Sequence, residues 1–564
     1  MFLAFKQETE RILKQALADA SYAVNESDLE LVESEHADLS SRIAFSLARR
    51  NQQSPAAIAA KIVQQLHLPA EETLIAEVKA VGPYINFAVN DRFFQETLER
   101  LRGDEPFAAQ KHQKIILEHT SANPDGPLHI GHLRNAVLGD VLTRVLRCAG
   151  YEVETQYYLN DMGRQIAVVV WGGDRMVYDN GKKADHAVAE VYIAANRQLE
   201  AQPELGAEVE ELMRRYEAGD TAIMQKYDAA VTKCLTGIQE SLKQLQIAHD
   251  RFVWESDFVR GGAVKGVIEE LKQKSEIKHE GSALLLQLDG IEKALVIQRT
   301  DGTSLYTTRD LAYHRWKGER CDRVIDVFGK DHELVTQQLA KALELIGVRV
   351  PEFVIFAFVS LPTGSLSTRA GRYISVDELI EKIVERAYLE VAKRRGDLQD
   401  DAKREIARKV GIGALRYDMV KVSPDKHILF DMEEAVDIEK KGAPFIQYAH
   451  ARACSILRAA QVKGYAVADA YDASLLRHPN EAALIKQLAK FSYVIETAAA
   501  DLKTHQVAKY ARELAETFNM FYKDCPVLNA EDNLRNARLA LVDCARIVLQ
   551  AVLAVLGIEA PQEM

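Results

Sequence analysis

The sequence predicts a multidomain α/β protein. A small α+β unit is expected at residues 1–108 and an α/β nucleotide-binding domain at 109–375, with a helical insertion at about 175–255. A connecting helical region at 376–440 and an all-α domain at 441–564 follow. Three observations predict this. A length of 564 residues suits three or four domains. Strand-like apolar runs alternate with helical patterns through the middle of the chain, as in a parallel sheet. From about Val376 onward the pattern is mostly helical.

The elements follow in order. Phe5–Ala18 and Asp38–Arg50 have the apolar spacing of amphipathic helices, the second with Asp38 or Ser40 as N-cap, and Ala56–Leu66 suits a third. Within Val78–Val89 the run VGPYINFAV alternates like a strand after a Gly-Pro turn. Asp91–Leu101 reads as a helix and residues 102–106 as a linker. Lys114–Glu118 suits a buried strand, Thr120–Leu128 a loop, and His132–Cys148 a helix with Ala136, Val137, Val141, Leu142 and Val145 on its apolar face. Strand, loop and helix in that order open a nucleotide-binding α/β unit. Further strands are expected at Ala294–Gln298, Arg323–Phe328 and Phe353–Leu361, with a helix at Glu333–Ile346 between them. Phe445–Ala460 and Leu534–Leu556 are amphipathic segments of the all-α domain.

Composition bounds the function. Hydrophobic residues make up 48% of the chain and charged residues 27%, which argues against global disorder. The net charge of −12 argues against a uniformly basic nucleic-acid binder but leaves room for local basic patches. The 6 cysteines form no C-x-x-C pair, so a zinc ribbon has no support, and reduced thiols of a cytoplasmic protein are expected. No secretion signal or membrane span is expected.

Glu118–Asp140, EHTSANPDGPLHIGHLRNAVLGD, carries the chemistry. His129 and His132 lie three apart at a helix mouth and face one side. A helix N-terminus offers N–H groups and partial positive charge, and two imidazoles there can donate to phosphate oxygens. Gly131 would let a bulky ligand approach the backbone. No G-x-x-x-x-G-K-[ST] or G-x-G-x-x-G motif occurs. Seen alone, the pair would also suit surface histidines or part of a metal site.

This segment is similar to the HIGH signature of class I aminoacyl-tRNA synthetases, and nearly the whole chain resembles arginyl-tRNA synthetases. Gly82–Phe87 (GPYINF), Tyr158–Gln165 (YLNDMGRQ), Ser304–Tyr313 (SLYTTRDLAY), Phe445–Arg452 (FIQYAHAR) and Leu556–Met564 (LGIEAPQEM) match family signatures in the right order. The resemblance implies a Rossmann-like class I catalytic domain between an N-terminal tRNA-contacting domain and a helical anticodon-binding domain. It implies activation of L-arginine with ATP, release of pyrophosphate and transfer to the 3′-terminal adenosine of tRNA for arginine. Activation is expected to require that tRNA. Mg2+ would accompany ATP, and no zinc is expected. The family is often monomeric.

Residue by residue, His129 and His132 are the implied catalytic groups. ATP binding falls to Ala122, Asn123, Pro124, Leu128, His129, Gly131, His132 and Arg369. Arginine binding falls to Asn123, His132, Tyr306, Asp310, Gln338 and, more weakly, Glu118. A buried carboxylate facing a guanidinium discriminates against lysine, which makes Asp310 central. Lys330 stands where some members carry a glutamine, so Gln338 is the replacement amide. Lys330, Asp331 and His332 sit at a strand end, where α/β sites gather. Asn86, Tyr448, His450 and Arg452 are the implied tRNA contacts. Ser365–Arg372 (SLSTRAGR) takes the place of the Lys-Met-Ser-Lys loop without either lysine, leaving Arg369 and Arg372 as the nearest cations. Other readings stay open on residues alone, namely another class I synthetase, a small-molecule nucleotidyltransferase and a non-catalytic tRNA-binding paralogue. The cysteinyl enzyme would want a zinc site and the isoleucyl, leucyl and valyl enzymes an editing insertion.

Overall fold

The structure, a computed structural model, describes residues 1–23, 29–34, 36–69, 72–103, 106–362 and 374–564. At the N-terminus β1 (Leu31–Ser34), β2 (Ala37–Ser41), β3 (Ile75–Val81) and β4 (Tyr84–Val89) form an antiparallel sheet in the order β1-β2-β4-β3. The helices Phe2–Asp19, Ile43–Asn51 and Pro55–Gln64 bury their apolar faces in one core with it. The helix expected over Asp38–Arg50 is thus part strand. Ser40 and Ser41 pair with Asn86 and Ile85, and the Asp38 carboxylate accepts from the Val89 N–H at 2.9 Å instead of capping a helix. Cross-strand pairing overrides the helical spacing there.

The middle of the chain holds a five-stranded parallel sheet among the described residues. Its strands are β5 (Lys114–Glu118), β6 (Glu152–Leu159), β7 (Arg251–Trp254), β11 (Arg323–Gly329) and β12 (Glu352–Phe356), in the order β12-β11-β5-β6-β7. From β5 the chain runs outward to β7 and then returns to the other side of β5. The carboxyl ends of β5 and β11 therefore flank a topological switch point, the usual ligand crevice of such sheets.

Three expectations need correction. Leu295–Gln298 is a strand (β10), but it joins β8 (Ile277–Glu280) and β9 (Ala283–Leu286) in a separate antiparallel sheet. Arg251–Trp254, at the end of the expected insertion, is the edge strand β7. The run Phe353–Leu361 breaks after β12; Val359–Ser360 (β13) pairs instead with Ile428–Leu429 (β14).

Helices Ala184–Ala201, Gly206–Glu217 and Thr221–Gln244 fill the insertion, and their buried faces enter the same core as the parallel sheet. That core continues without a break into the C-terminal helices, including Ala443–Val462, His505–Asp524 and Asp532–Val555.

Candidate active site

The loop after β5 is wound tightly. Thr120 and Ser121 take left-handed φ values of 71° and 38°, which cost energy for residues with a Cβ and are held only by surrounding bonds. The Thr120 N–H donates to Asn135 Oδ1 at 2.7 Å, and Asn135 Nδ2 donates to the Val327 carbonyl at 3.0 Å. Ser121 Oγ donates to Glu118 Oε1 and accepts from the Tyr158 N–H, both at 3.0 Å. Tyr157 Oη donates to the Ala122 carbonyl at 2.8 Å, and Asn123 Nδ2 donates to Gln165 Oε1 at 2.8 Å. Ala122 and Leu128 are buried, while Asn123 is half-buried at the crevice.

His129 is the N-cap of the helix Ile130–Cys148. Its Nδ1 accepts from the backbone N–H groups of Gly131 at 3.1 Å and His132 at 3.4 Å, and His132 Nδ1 accepts from the His129 N–H at 3.4 Å. Both rings therefore carry their proton on Nε2. They stack with centroids 3.7 Å apart and an 18° tilt. Burial lowers the pKa of both, that of His132 to about 3, with His129 second among its causes. At neutral pH the pair is two uncharged Nε2–H donors. This refines the expectation of open N–H groups at the helix mouth, since two of them are spent on His129. Gly131 also acquires a different reason. A Cβ there would lie 2.9 Å from His129 Cε1, so the glycine makes room for the stacked ring.

The other half of the site stands on the helix Tyr306–Gly318. Tyr306 is its first residue and is exposed. It lines a cleft of about 380 Å³ with Asn160, Gly163, Arg299, Ser304 and Arg309. Asp310 lies one turn on, on the same face, and shares a narrow crevice with Gln338 and Thr307. Gln338 Nε2 donates to the Lys293 carbonyl at 3.2 Å, which leaves its amide oxygen to the crevice. Arg309 points inward to Glu255 at 3.2 Å. Burial pushes Glu255 up to about 7.

Behind Asp310 lies a chain of buried charges. His314 Nδ1 stands 3.0 Å from Asp310 Oδ1 and Nε2 stands 2.7 Å from Asp326 Oδ2. Lys317 Nζ donates to Asp326 Oδ1 at 2.7 Å and to Glu118 Oε2 at 2.9 Å. Glu118 is therefore not an open arginine ligand. It is buried, one oxygen is taken by Lys317 and the other by Ser121, and burial pushes its carboxyl up while Lys317 pulls it down. Glu118, His314 and Asp326 could surround a metal ion, but the Lys317 ammonium already sits among them. Lys183 does the same for Asp185, His186 and Asp377.

Lys330, Asp331 and His332 form an exposed turn after β11. Ser365–Arg372, with Arg369, lies outside the described residues. Just beyond it, the Val376 N–H donates to the Leu128 carbonyl at 2.8 Å, and Ser375 bridges to His129.

At the N-terminal sheet, Asn86 Oδ1 accepts from Ser40 Oγ at 2.8 Å, beside the exposed pair Phe45 and Tyr84. Among the C-terminal helices, Tyr448 and Arg452 line a cleft of about 240 Å³ with Arg395, Arg458, Tyr522 and Met564. The Arg452 guanidinium lies 4.7 Å from the Tyr448 ring centre and 4.4 Å from that of Tyr522. His450 is not part of this cleft. It is buried, and its ring bonds the Pro561 carbonyl at 2.9 Å, so it cannot stack on a base. Sequence reading misses Arg395, Arg458 and Tyr522: Arg395 and Tyr522 belong to other helices, and Arg458, six residues beyond Arg452 on the same helix, lies outside the FIQYAHAR signature.

Residues 7–89 match the description "Arginyl tRNA synthetase N terminal domain", residues 98–431 "tRNA synthetases class I (R), catalytic domain" and residues 446–564 "DALR anticodon binding domain". The chain belongs to the arginyl-tRNA synthetase family. An arginine–tRNA ligase of Methanococcoides burtonii is 50% identical over 570 residues, covering 100% of each chain. One from Methanothrix thermoacetophila is 50% identical over 568 residues with the same coverage. Among solved structures, a Thermus thermophilus arginyl-tRNA synthetase superposes with a TM-score of 0.84 at 29% identity, covering 99% of this chain and 100% of that one. A Plasmodium falciparum arginyl-tRNA synthetase shares the fold at a TM-score of 0.82 and 17% identity, covering 99% of each. As an arginyl-tRNA synthetase the chain is an enzyme, an arginine–tRNA ligase with a class I catalytic domain.

Proposed function

We propose that the crevice at the ends of β5 and β11 joins ATP and L-arginine into arginyl-adenylate and then passes the arginyl group to the 3′-terminal adenosine of tRNA for arginine. In the first step the arginine carboxylate attacks the α-phosphorus and pyrophosphate leaves. In the second a ribose hydroxyl attacks the activated carbonyl and AMP leaves. No side chain needs to form a covalent bond. The work is positioning and stabilisation of charge on the phosphates.

The observation that carries this reading is the pairing of two chemistries at one switch point. Two Nε2–H donors stand at the mouth of the helix after β5, and a carboxylate stands on the helix Tyr306–Gly318, which Lys317 ties to Glu118 at the end of β5. His129 and His132 donate to phosphate oxygens, while Ala122, Asn123, Pro124, Leu128 and Gly131 shape the nucleotide's bed. Asn123 and His132 lie toward the amino acid. Asp310 takes the guanidinium, Tyr306 covers it, and the free amide oxygen of Gln338 lies in the same crevice. Mg2+ comes with the ATP phosphates. The donors at the helix mouth are neutral N–H groups, suited to phosphate oxygens, so phosphate and water would hold the ion. Asn86 meets the outer part of the tRNA, and the cleft of Tyr448 and Arg452 takes unstacked anticodon bases, where aromatic and guanidinium planes suit stacking. The domain limits near residues 108, 375 and 440, a monomeric state and a cytoplasmic location complete the reading.

The test is ATP–pyrophosphate exchange with arginine, with and without tRNA for arginine. Exchange that needs both supports the reading in full, and exchange with arginine alone removes only the tRNA requirement. Asp310→Asn is expected to raise the arginine KM by roughly tenfold or more and to leave the ATP KM within about twofold. An unchanged arginine KM would remove Asp310 from the site.

A further inference from the structure

We infer that His314, which has no reach into the crevice, is a positioning residue for arginine: it clamps Oδ1 of Asp310 so that the other carboxylate oxygen faces the guanidinium. The inference rests on the assignment of arginine binding to Asp310 and deepens it.

His314 is fully buried on the helix that carries Tyr306 and Asp310, one turn beyond Asp310. Its Nδ1 faces two acceptors of one residue, the Asp310 carbonyl at 2.8 Å and the Asp310 carboxylate at 3.0 Å. Its Nε2 faces Asp326 at 2.7 Å. A neutral imidazole has one N–H and could serve only one side, whereas an imidazolium serves both. Burial and the neighbouring Lys317 work against the cation, but Asp310 and Asp326 outweigh them and raise the pKa to about 10. Asp326 is itself fixed from its far side by Lys317, which is anchored to Glu118. The clamp therefore has a rigid base, and every member but Asp310 is buried.

Two consequences for recognition follow. An unclamped Asp310 could rotate about χ1 and χ2, and a bidentate partner would have to order it on binding. With Oδ1 held, that ordering is built into the free enzyme. The network also holds three acids, Asp310, Asp326 and Glu118, against two bases, His314 and Lys317. A guanidinium supplies the third cation, while a neutral isostere such as citrulline leaves the third acid without a partner.

The experiment separates the two ring nitrogens. An asparagine amide falls near the place of Nδ1 and a glutamine amide near that of Nε2. His314→Asn keeps a donor toward Asp310, and His314→Gln keeps one toward Asp326. Arginine and ATP KM values are measured for both variants, for Asp310→Asn and for the double variant Asp310→Asn/His314→Gln. KM does not depend on the fraction of enzyme folded, so partial loss of fold in a variant leaves the readout intact. His314→Gln is expected to raise the arginine KM about tenfold with the ATP KM within about twofold, and His314→Asn to raise it less than about threefold. In the Asp310→Asn background, His314→Gln should add less than about twofold, because the clamp has lost what it holds. A His314→Asn effect as large as that of His314→Gln, or full additivity with Asp310→Asn, overturns the inference and leaves His314 a structural partner of Asp326. If Asp310→Asn raises the arginine KM and His314→Gln does not, this inference alone falls. If Asp310→Asn leaves it unchanged, the assignment beneath it falls as well.

Discussion

At the scale of single residues, the site depends on side chains whose role is to hold another. Gly131 is the plainest case. An alanine there would push against His129 Cε1 at 2.9 Å, and the stacked ring would have to turn. Gly131→Ala should lower ATP–pyrophosphate exchange by roughly tenfold to a hundredfold, as expected for a misplacement of about 1 Å, with little change in melting temperature. Unaltered exchange would mean that the ring pose is not what the reaction uses. The sequence showed the histidine pair, since a three-residue spacing at a helix mouth is a local pattern. It did not show why the residue between them is glycine, because that depends on the ring's rotamer. Glu118 and His450 mark the same limit. Both have the residue type their proposed roles need, yet distant partners, Lys317 and Pro561, have already taken their polar atoms.

At the scale of elements, the helix Tyr306–Gly318 differs from the helix Ile130–Cys148. The latter is anchored by a long apolar face, which its sequence spacing displayed. The former buries Leu311, Ala312 and Tyr313 in an apolar core but also buries Thr308, Arg309, His314 and Lys317, so its seat rests partly on charge pairs. Such a seat depends on pH. His314 has a folded pKa raised to about 10 from an ordinary 6.5, so its contribution to stability is complete below pH 6.5 and is lost as pH rises through 10. Asp326, held down to about 2 by the two cations beside it although burial opposes them, contributes above its ordinary value and fails only in strong acid. Urea denaturation at pH 7 and pH 9.5 should show a larger alkaline loss for the native chain than for His314→Gln. Equal losses would place the alkaline sensitivity elsewhere. None of this is legible in the order of residues. The charges of the helix Tyr306–Gly318 turn inward because three acids from elsewhere in the chain, Asp326 of β11, Glu118 of β5 and Glu255, stand behind them. The sheet that β10 joins is hidden for a related reason, since an apolar run of four residues does not reveal its partners.

At the scale of the molecule, the chain has the three parts of its family, but the packing is less divided. The α/β core and the C-terminal helices are one hydrophobic body, with the N-terminal unit docked on it by contacts such as Lys490 with Glu33 and Lys486 with Asp38. Arg416 shows how closely the body is joined. It is fully buried, pairs with Asp140 of the helix that begins at the two histidines, and donates to the carbonyls of Leu245 and, at 3.1 Å, Leu556. Gly557, with a left-handed φ of 66°, leaves room for the guanidinium, which would lie 1.9 Å from a Cβ. Gly557→Ala should therefore cost about 2–4 kcal/mol through overpacking and backbone strain, visible as a lower melting temperature. An unchanged melt would show that the tail can lift away from Arg416 freely.

That buried arginine also constrains how the gene can be recombined. A crossover near residue 103 exchanges a unit with its own core and asks only for a compatible docking face. A crossover near residue 441 parts Arg416 from the Leu556 carbonyl and from the room that Gly557 leaves it, and a chimaera made there seats the buried cation only where the incoming tail fits it as closely. Shuffling libraries between relatives should accordingly yield folded offspring at the first junction and few at the second, unless the last dozen residues are inherited together with the helix Asp400–Val420.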